Sequence, residues 1–118
     1  MQRRALNAAL FVLCLPGAGA AERWQAMSGA EITEALTRQE LHYARGAWQR
    51  FNASGRTLYH AGTDSWGYWA VRGDQYCCQW PPNPLWTCYD MARQGARFRF
   101  TDAYGEVSIG LRKSGQGE

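Results

Sequence analysis

Histidine is scarce in this sequence. Only His42 and His60 occur in 118 residues, and they do not stand at i, i+4 from one another, the spacing at which a helix presents two ligands to one metal. A site built from Cys78, Cys88 and His60 would compete with disulfide formation, so no metal is assigned. The sequence has no C-x-x-C, which removes a thioredoxin-type redox motif. It has no phosphate-binding glycine loop, and no G-x-G-x-x-G follows a strand. Ser65 and Ser108 lack a nucleophile-elbow pattern. Asp64, Asp74 and Asp102 fall in turns, where aspartate serves backbone hydrogen bonding. The chain therefore reads as a non-enzyme without catalytic residues or cofactor. An excess of one charge is also missing. Thirteen Lys and Arg oppose ten Asp and Glu, a formal +3, with no basic stripe to seat a nucleic acid. Long apolar runs are absent too, since a membrane-spanning helix needs roughly 20 residues.

The first twenty residues read as a secretory signal. Arg3 and Arg4 supply the charged start, Ala8 to Leu15 the apolar stretch, Pro16 and Gly17 the break, and Ala18-Gly19-Ala20 the cleavage site. A lipid anchor at Cys14 fits less well, because Leu13 stands where a small residue belongs. Cleavage after Ala20 leaves 98 of the 118 residues and takes two of the thirteen basic residues but no acid, so +3 becomes +1. The expected organisation is a cleaved signal over 1–20, a single β-rich domain over 21–112 and a flexible tail over 113–118. The expected location is periplasmic or secreted, with no stable membrane insertion after cleavage. A domain of about 100 residues sits near the low end for building its own core, so a covalent staple helps.

Ser28-Gly29-Ala30-Glu31 is a capping-box pattern, and Ile32, Ala35 and Leu36 follow on one helical face, which predicts a short helix over 29–38. Beyond it, aromatic and β-branched runs at about 40–44, 47–51, 57–61, 67–72, 75–80, 85–91, 96–101 and 106–111 alternate with turn residues. That spacing predicts an antiparallel meander of seven or eight strands, forming a curved sheet or a small barrel. The fold class is mainly β, with α+β character limited to the one helix.

Gly73-Asp74 suits a two-residue type II′ hairpin pairing Arg72 with Gln75 and Trp69 with Cys78. Trp69, Val71, Tyr76, Cys78 and Trp80 then share the core face, because the opposite face would bury an arginine and two glutamines. With Cys14 removed, Cys77, Cys78 and Cys88 remain. Pairing Cys77 with Cys88 puts Leu85, Thr87, Tyr89 and Met91 on the core face. Pairing Cys78 with Cys88 buries Asp90 instead. The first register is the more consistent, and a single β-bulge would select the second. Cys78 is then the free thiol, a small core residue in the plain reading and an intermolecular disulfide partner or a redox thiol in the sharper ones.

The stretch from Trp66 to Tyr89 carries Gly67-x-Trp69-x-Val71-x-Gly73-Asp74-x-Tyr76-Cys77, then Gln79-Trp80-Pro81-Pro82, then Trp86-x-Cys88-Tyr89. Together with Ser28-Gly29-Ala30-Glu31-Ile32 and Trp48-x-x-Phe51-x-x-x-Gly55, it resembles short exported proteins of proteobacteria built on a domain of unknown function. The resemblance implies a periplasmic location, supports the Cys77–Cys88 pair and carries no catalytic residues. Cys78 stands where that pattern is usually polar.

Six Trp and six Tyr remain as the main clue to function. Trp48, Trp66, Tyr68, Trp86 and Tyr104 are the candidates for exposure at a binding surface. Three readings follow. The first is a non-catalytic periplasmic binding or inhibitor-like module whose partner is a protein or small ligand. The second is a small-ligand carrier of up-and-down barrel type. The third is a thiol-dependent redox protein or enzyme using Cys78.

Overall fold

The structure is a computed structural model describing residues 23–113; the signal segment over 1–20 and the tail beyond 113 lie outside the described residues. A two-residue strand, β1 (Gln25–Ala26), leads into helix α1 (Gly29–Leu36). The predicted capping box forms: the Ser28 hydroxyl accepts from the Glu31 amide at 3.2 Å, and the Ser28 amide donates to Glu31 Oε1 at 2.8 Å. Ile32, Ala35 and Leu36 are buried along one face, as their spacing requires. The helix stops two residues earlier than expected. Arg38 turns to φ 65°, and its amide donates to the Phe51 carbonyl at 2.7 Å, which commits the chain to the sheet.

All eight expected runs form strands: β2 (Gln39–His42), β3 (Trp48–Phe51), β4 (Arg56–His60), β5 (Asp64–Arg72), β6 (Gln75–Gln79), β7 (Trp86–Gln94), β8 (Arg97–Thr101) and β9 (Val107–Arg112). Each pairs antiparallel with the next, and β9 returns to pair with β2 through Leu41↔Arg112 and His42↔Leu111. The meander is thus a closed eight-stranded barrel, with β1 as an additional outer strand. β1 was not anticipated, since two residues are too few to show a period. It pairs with Ala92 and Arg93, on the part of β7 beyond the last β6 partner, Asp90.

The β5–β6 hairpin has the expected register, including Trp69↔Cys78 and Arg72↔Gln75. Gly73 has φ 58° while Asp74 keeps a negative φ, as a type II′ turn requires. The β6–β7 ladder pairs Cys77 with Cys88, and their disulfide closes. One expectation fails nearby. Leu85 and Thr87 are exposed, Leu85 by 71%, rather than sealed in the core. The ladder begins only at Gln79↔Trp86, so Leu85 lies outside it, and this end of the barrel stands open.

The two ends of the barrel differ. One end gathers the β3–β4, β5–β6 and β7–β8 turns, and α1 closes it. The Gly29 amide donates to Asp74 Oδ1 at 2.8 Å, while Ile32 and Leu36 join Leu41, Phe51, Trp69, Met91 and Phe98 in the core. Gly29 presses so closely on the hairpin that a Cβ there would overlap the Gly73 carbonyl oxygen. The other end gathers the β2–β3, β4–β5, β6–β7 and β8–β9 loops and, among the described residues, has no helix over it.

Candidate functional site: a cavity at the open end of the barrel

Strand alternation places one residue in two inside the barrel. Toward the helix those side chains interlock as the core. Toward the open end they leave a cavity of about 960 Å³. Aromatic rings from five elements wall it. Tyr43 follows β2, Tyr59 stands on β4, Trp80 follows β6, Tyr89 stands on β7 and Phe100 on β8, with Tyr76 of β6 deeper in. The rings touch in sequence around the wall: Trp80 with Tyr59 at 6.1 Å, Tyr59 with Tyr43 at 6.2 Å, Tyr43 with Phe100 at 6.4 Å, and Phe100 with Tyr89 at 6.3 Å. These edge and tilted contacts are the ones aromatic quadrupoles favour, so the belt is held by its own packing. Gly67 makes room for it. A Cβ at Gly67 would stand 2.5 Å from Trp80 Cε3, so the bare backbone of β5 is what lets the indole lie flat on the wall.

The polar groups on the wall are mostly satisfied by one another. Tyr43 donates to Gln49 Oε1 at 2.9 Å, and the Gln49 amide donates to Thr57 Oγ1 at 2.9 Å and to the Tyr76 hydroxyl at 3.1 Å. Thr57 passes its own proton to the Arg50 carbonyl at 2.8 Å. A buried glutamine without such partners would cost about 1–3 kcal/mol; here it knits β3, β4 and β6 together.

Cys78 also faces inward, beside Trp80, Tyr76 and Tyr89 on the cavity wall. Burial pushes its thiol above the ordinary value of 9.0. Burial likewise lifts the hydroxyls of Tyr43, Tyr76 and Tyr89 above their ordinary value, with neighbouring titratable groups such as Tyr59 and Cys78 adding to the rise. The interior therefore disfavours negative charge. A thiolate nucleophile at Cys78 would need the opposite environment, a nearby cation or helix start. The disulfide Cys77–Cys88 lies on the outer face of the same strands, pointing away from Cys78.

The five aromatic residues singled out from the sequence lie outside this belt. Trp48 is half-buried on the outer face, stacked on His60 at 5.2 Å with Arg50 5.1 Å from its ring centroid. Arg56 lies 4.3 Å over Trp66, and Arg72 lies 4.3 Å over Trp86. Three tryptophans are thus roofed by arginines and belong to an outer layer on the barrel wall. Trp66 and Tyr68 are each 45% exposed, Trp66 also reaching the cavity rim, and Tyr104 projects from the β8–β9 turn at 93% exposure.

The wall residues Tyr43, Tyr59, Phe100 and Gln49 were not singled out. Tyr76, Cys78, Trp80 and Tyr89 were assigned to the core face, which is correct for direction; the missing fact was that the barrel does not fill at that end. His60 pairs with Asp64 at 2.7 Å in the β4–β5 loop, and His42 with Glu40 at 2.9 Å. Among the described residues no group of three or more His, Cys, Asp or Glu side chains is placed to hold a metal ion, and no helix is long and apolar enough to cross a membrane. No protein-family model, curated protein or solved structure matches the chain.

Proposed function

We propose that this protein is a non-catalytic carrier that holds a small, largely apolar ligand inside an up-and-down barrel. The observation that supports this reading is the cavity of about 960 Å³ with its aromatic belt. Ligand sites commonly span roughly 300–1,000 Å³, with apolar and aromatic walls and a few placed polar groups. A barrel serving only as a scaffold gains from filling its interior, because each void forfeits packing contacts. Here Ala47, Ser65 and Ser108 line the space with small side chains, and the polar Gln49 is already engaged.

The test is uptake of N-phenyl-1-naphthylamine, an uncharged apolar fluorophore. The wild-type protein brightens the probe saturably. Ser65→Trp places an indole in the mouth at an exposed position, weakens uptake at least tenfold and leaves the thermal midpoint unchanged. Absence of uptake, together with a bare mass for the exported protein in native mass spectrometry, defeats the reading.

A second reading is favoured by Trp66 and Tyr68, which stand at i, i+2 on the outer face of β5 and are both well exposed. Such a pair suits a protein partner of a binding or inhibitor-like module. Periplasmic or secreted location with a cleaved signal is part of the proposal and is supported by the disulfide, since such bonds persist in oxidising compartments.

A further inference from the structure

The β2–β3 turn, Ala44–Gly46 with its flanks, contains a residue in an unusual conformation. Arg45 has φ 65° and ψ 27°, and Gly46 follows with φ 80°. The Ala47 amide reaches the Ala44 carbonyl at 3.5 Å, so Arg45 and Gly46 are the two central residues of a turn that needs positive φ at both. Glycine, asparagine and aspartate take the first of these positions readily, whereas a long side chain is strained there. The Tyr43 amide bonded to the Ala47 carbonyl at 2.8 Å clamps the turn shut. Local strain of this kind persists where the surroundings hold it, and it clusters at functional sites.

Position supplies the second observation. Arg45 lines the cavity, is exposed, and has no ion pair or hydrogen bond among the described residues. Among the described residues it is the only charged side chain on the cavity wall. Asp64, next to the lining residue Ser65, is paired with His60 at 2.7 Å, and Asp102 and Glu106 come near enough to Tyr89 for their charges to add to the rise that burial gives its pKa. Asp102 Oδ1 accepts from the amides of Tyr104 and Glu106, both at 2.9 Å, and neither Asp102 nor Glu106 lines the cavity. Deeper in, the wall holds only neutral groups, and burial keeps them neutral.

We infer that the ligand is an amphiphile with a single acidic group, its ring or chain in the aromatic belt and its anionic head at the mouth on the Arg45 guanidinium. This deepens the carrier reading and rests on it. An anion driven to the floor would lose its hydration to hydroxyls that are already paired, whereas at the mouth it keeps water on one side and meets five N–H donors on the other. The apolar body gains from burial and from ring contacts. The arrangement also fixes polarity: the head faces outward in every bound molecule.

The experiment compares two probes that differ by one sulfonate, N-phenyl-1-naphthylamine and 1-anilinonaphthalene-8-sulfonate, on the wild type, Arg45→Asn and Arg45→Lys. Asparagine accepts the positive φ, so the turn is kept while the charge is removed. Arg45→Asn is expected to weaken the sulfonate probe about tenfold and to change the neutral probe by less than twofold. Arg45→Lys is expected to recover most of the loss. Raising salt from about 20 mM to about 500 mM is expected to weaken only the sulfonate probe on the wild type, because the pairing is exposed at the mouth. If neither probe binds, the carrier reading falls and the headgroup inference with it. If both bind and Arg45→Asn weakens them equally, or weakens neither, the carrier reading stands and the headgroup inference is overturned.

Discussion

Gly29→Ala should destabilise this protein, although helix propensity alone argues the reverse. Alanine is favoured over glycine inside a helix by up to about 1 kcal/mol. At Gly29, however, the added methyl would overlap the Gly73 carbonyl oxygen and sit 3.3 Å from Val71 Cγ1. The obstacle is backbone, so no side-chain rotation relieves it. Either the contact is compressed, at about 1–3 kcal/mol, or the helix backs away and gives up the bond from the Gly29 amide to Asp74 Oδ1, worth about 1.5–3 kcal/mol because its acceptor is charged. Offsetting the propensity gain leaves a net loss of roughly 1–2 kcal/mol, a fall in thermal midpoint of roughly 4–16 °C for a domain this size. Urea and thermal unfolding followed by circular dichroism measure it. Asp74→Ala alone should cost about 1.5–3 kcal/mol, and the double variant should cost less than the sum, since the displaced helix has already lost that bond. A Gly29→Ala protein as stable as wild type, or strict additivity with Asp74→Ala, would refute the packing argument.

Two further outcomes are expected. Reducing Cys77–Cys88, which closes a loop with a sequence separation of 11, should lower unfolding free energy by about 3 kcal/mol in the chain-entropy account; an unchanged urea midpoint in reductant contradicts it. Stability should also fall at alkaline pH. The folded state raises the pKa of Cys78, Tyr43, Tyr76 and Tyr89, so it retains protons that the unfolded chain releases. The contribution is whole below the ordinary thiol value of 9.0 and is lost as pH climbs past it and past the phenol value of 10.0. Urea midpoints that stay level from about pH 8 to about pH 11 would oppose this, and Cys78→Ala should move the onset upward into the phenol range.

Much of the fold was legible because its signals are local. Ser28 and Glu31 announce the helix start, Gly73-Asp74 sets one register, and burying Asp90 is costly enough to select the Cys77–Cys88 ladder. Closure was not legible, since nothing in Leu41 or Arg112 alone says that they pair across the molecule. The cavity was hidden for a related reason. Tyr76, Cys78 and Trp80 point inward whether the interior is filled or hollow, and alternation reports direction without reporting what stands opposite. Tryptophans drew attention because they are large and numerous, yet an arginine lies over each of Trp48, Trp66 and Trp86; Arg50 reaches Trp48 along its own strand, whereas Arg56 over Trp66 and Arg72 over Trp86 depend on strand arrangement that composition does not reveal.

The pairing of β2 with β9 has a bearing on how the molecule comes together and how it loosens. Every other ladder of the barrel joins strands adjacent in sequence, a hairpin that forms early and locally. This one joins residues roughly 70 positions apart through only two pairs of Cα partners, so the long search is left to the end and rewarded with the shortest grip. Gly110 makes it possible, since a Cβ there would come within 3.0 Å of Leu41 Cδ1 and Tyr43 Cε1. The last joint to set is also the first to yield. Because it runs beside Tyr43, on the wall of the cavity, its parting would widen the vessel along one side while the helix keeps the base sealed.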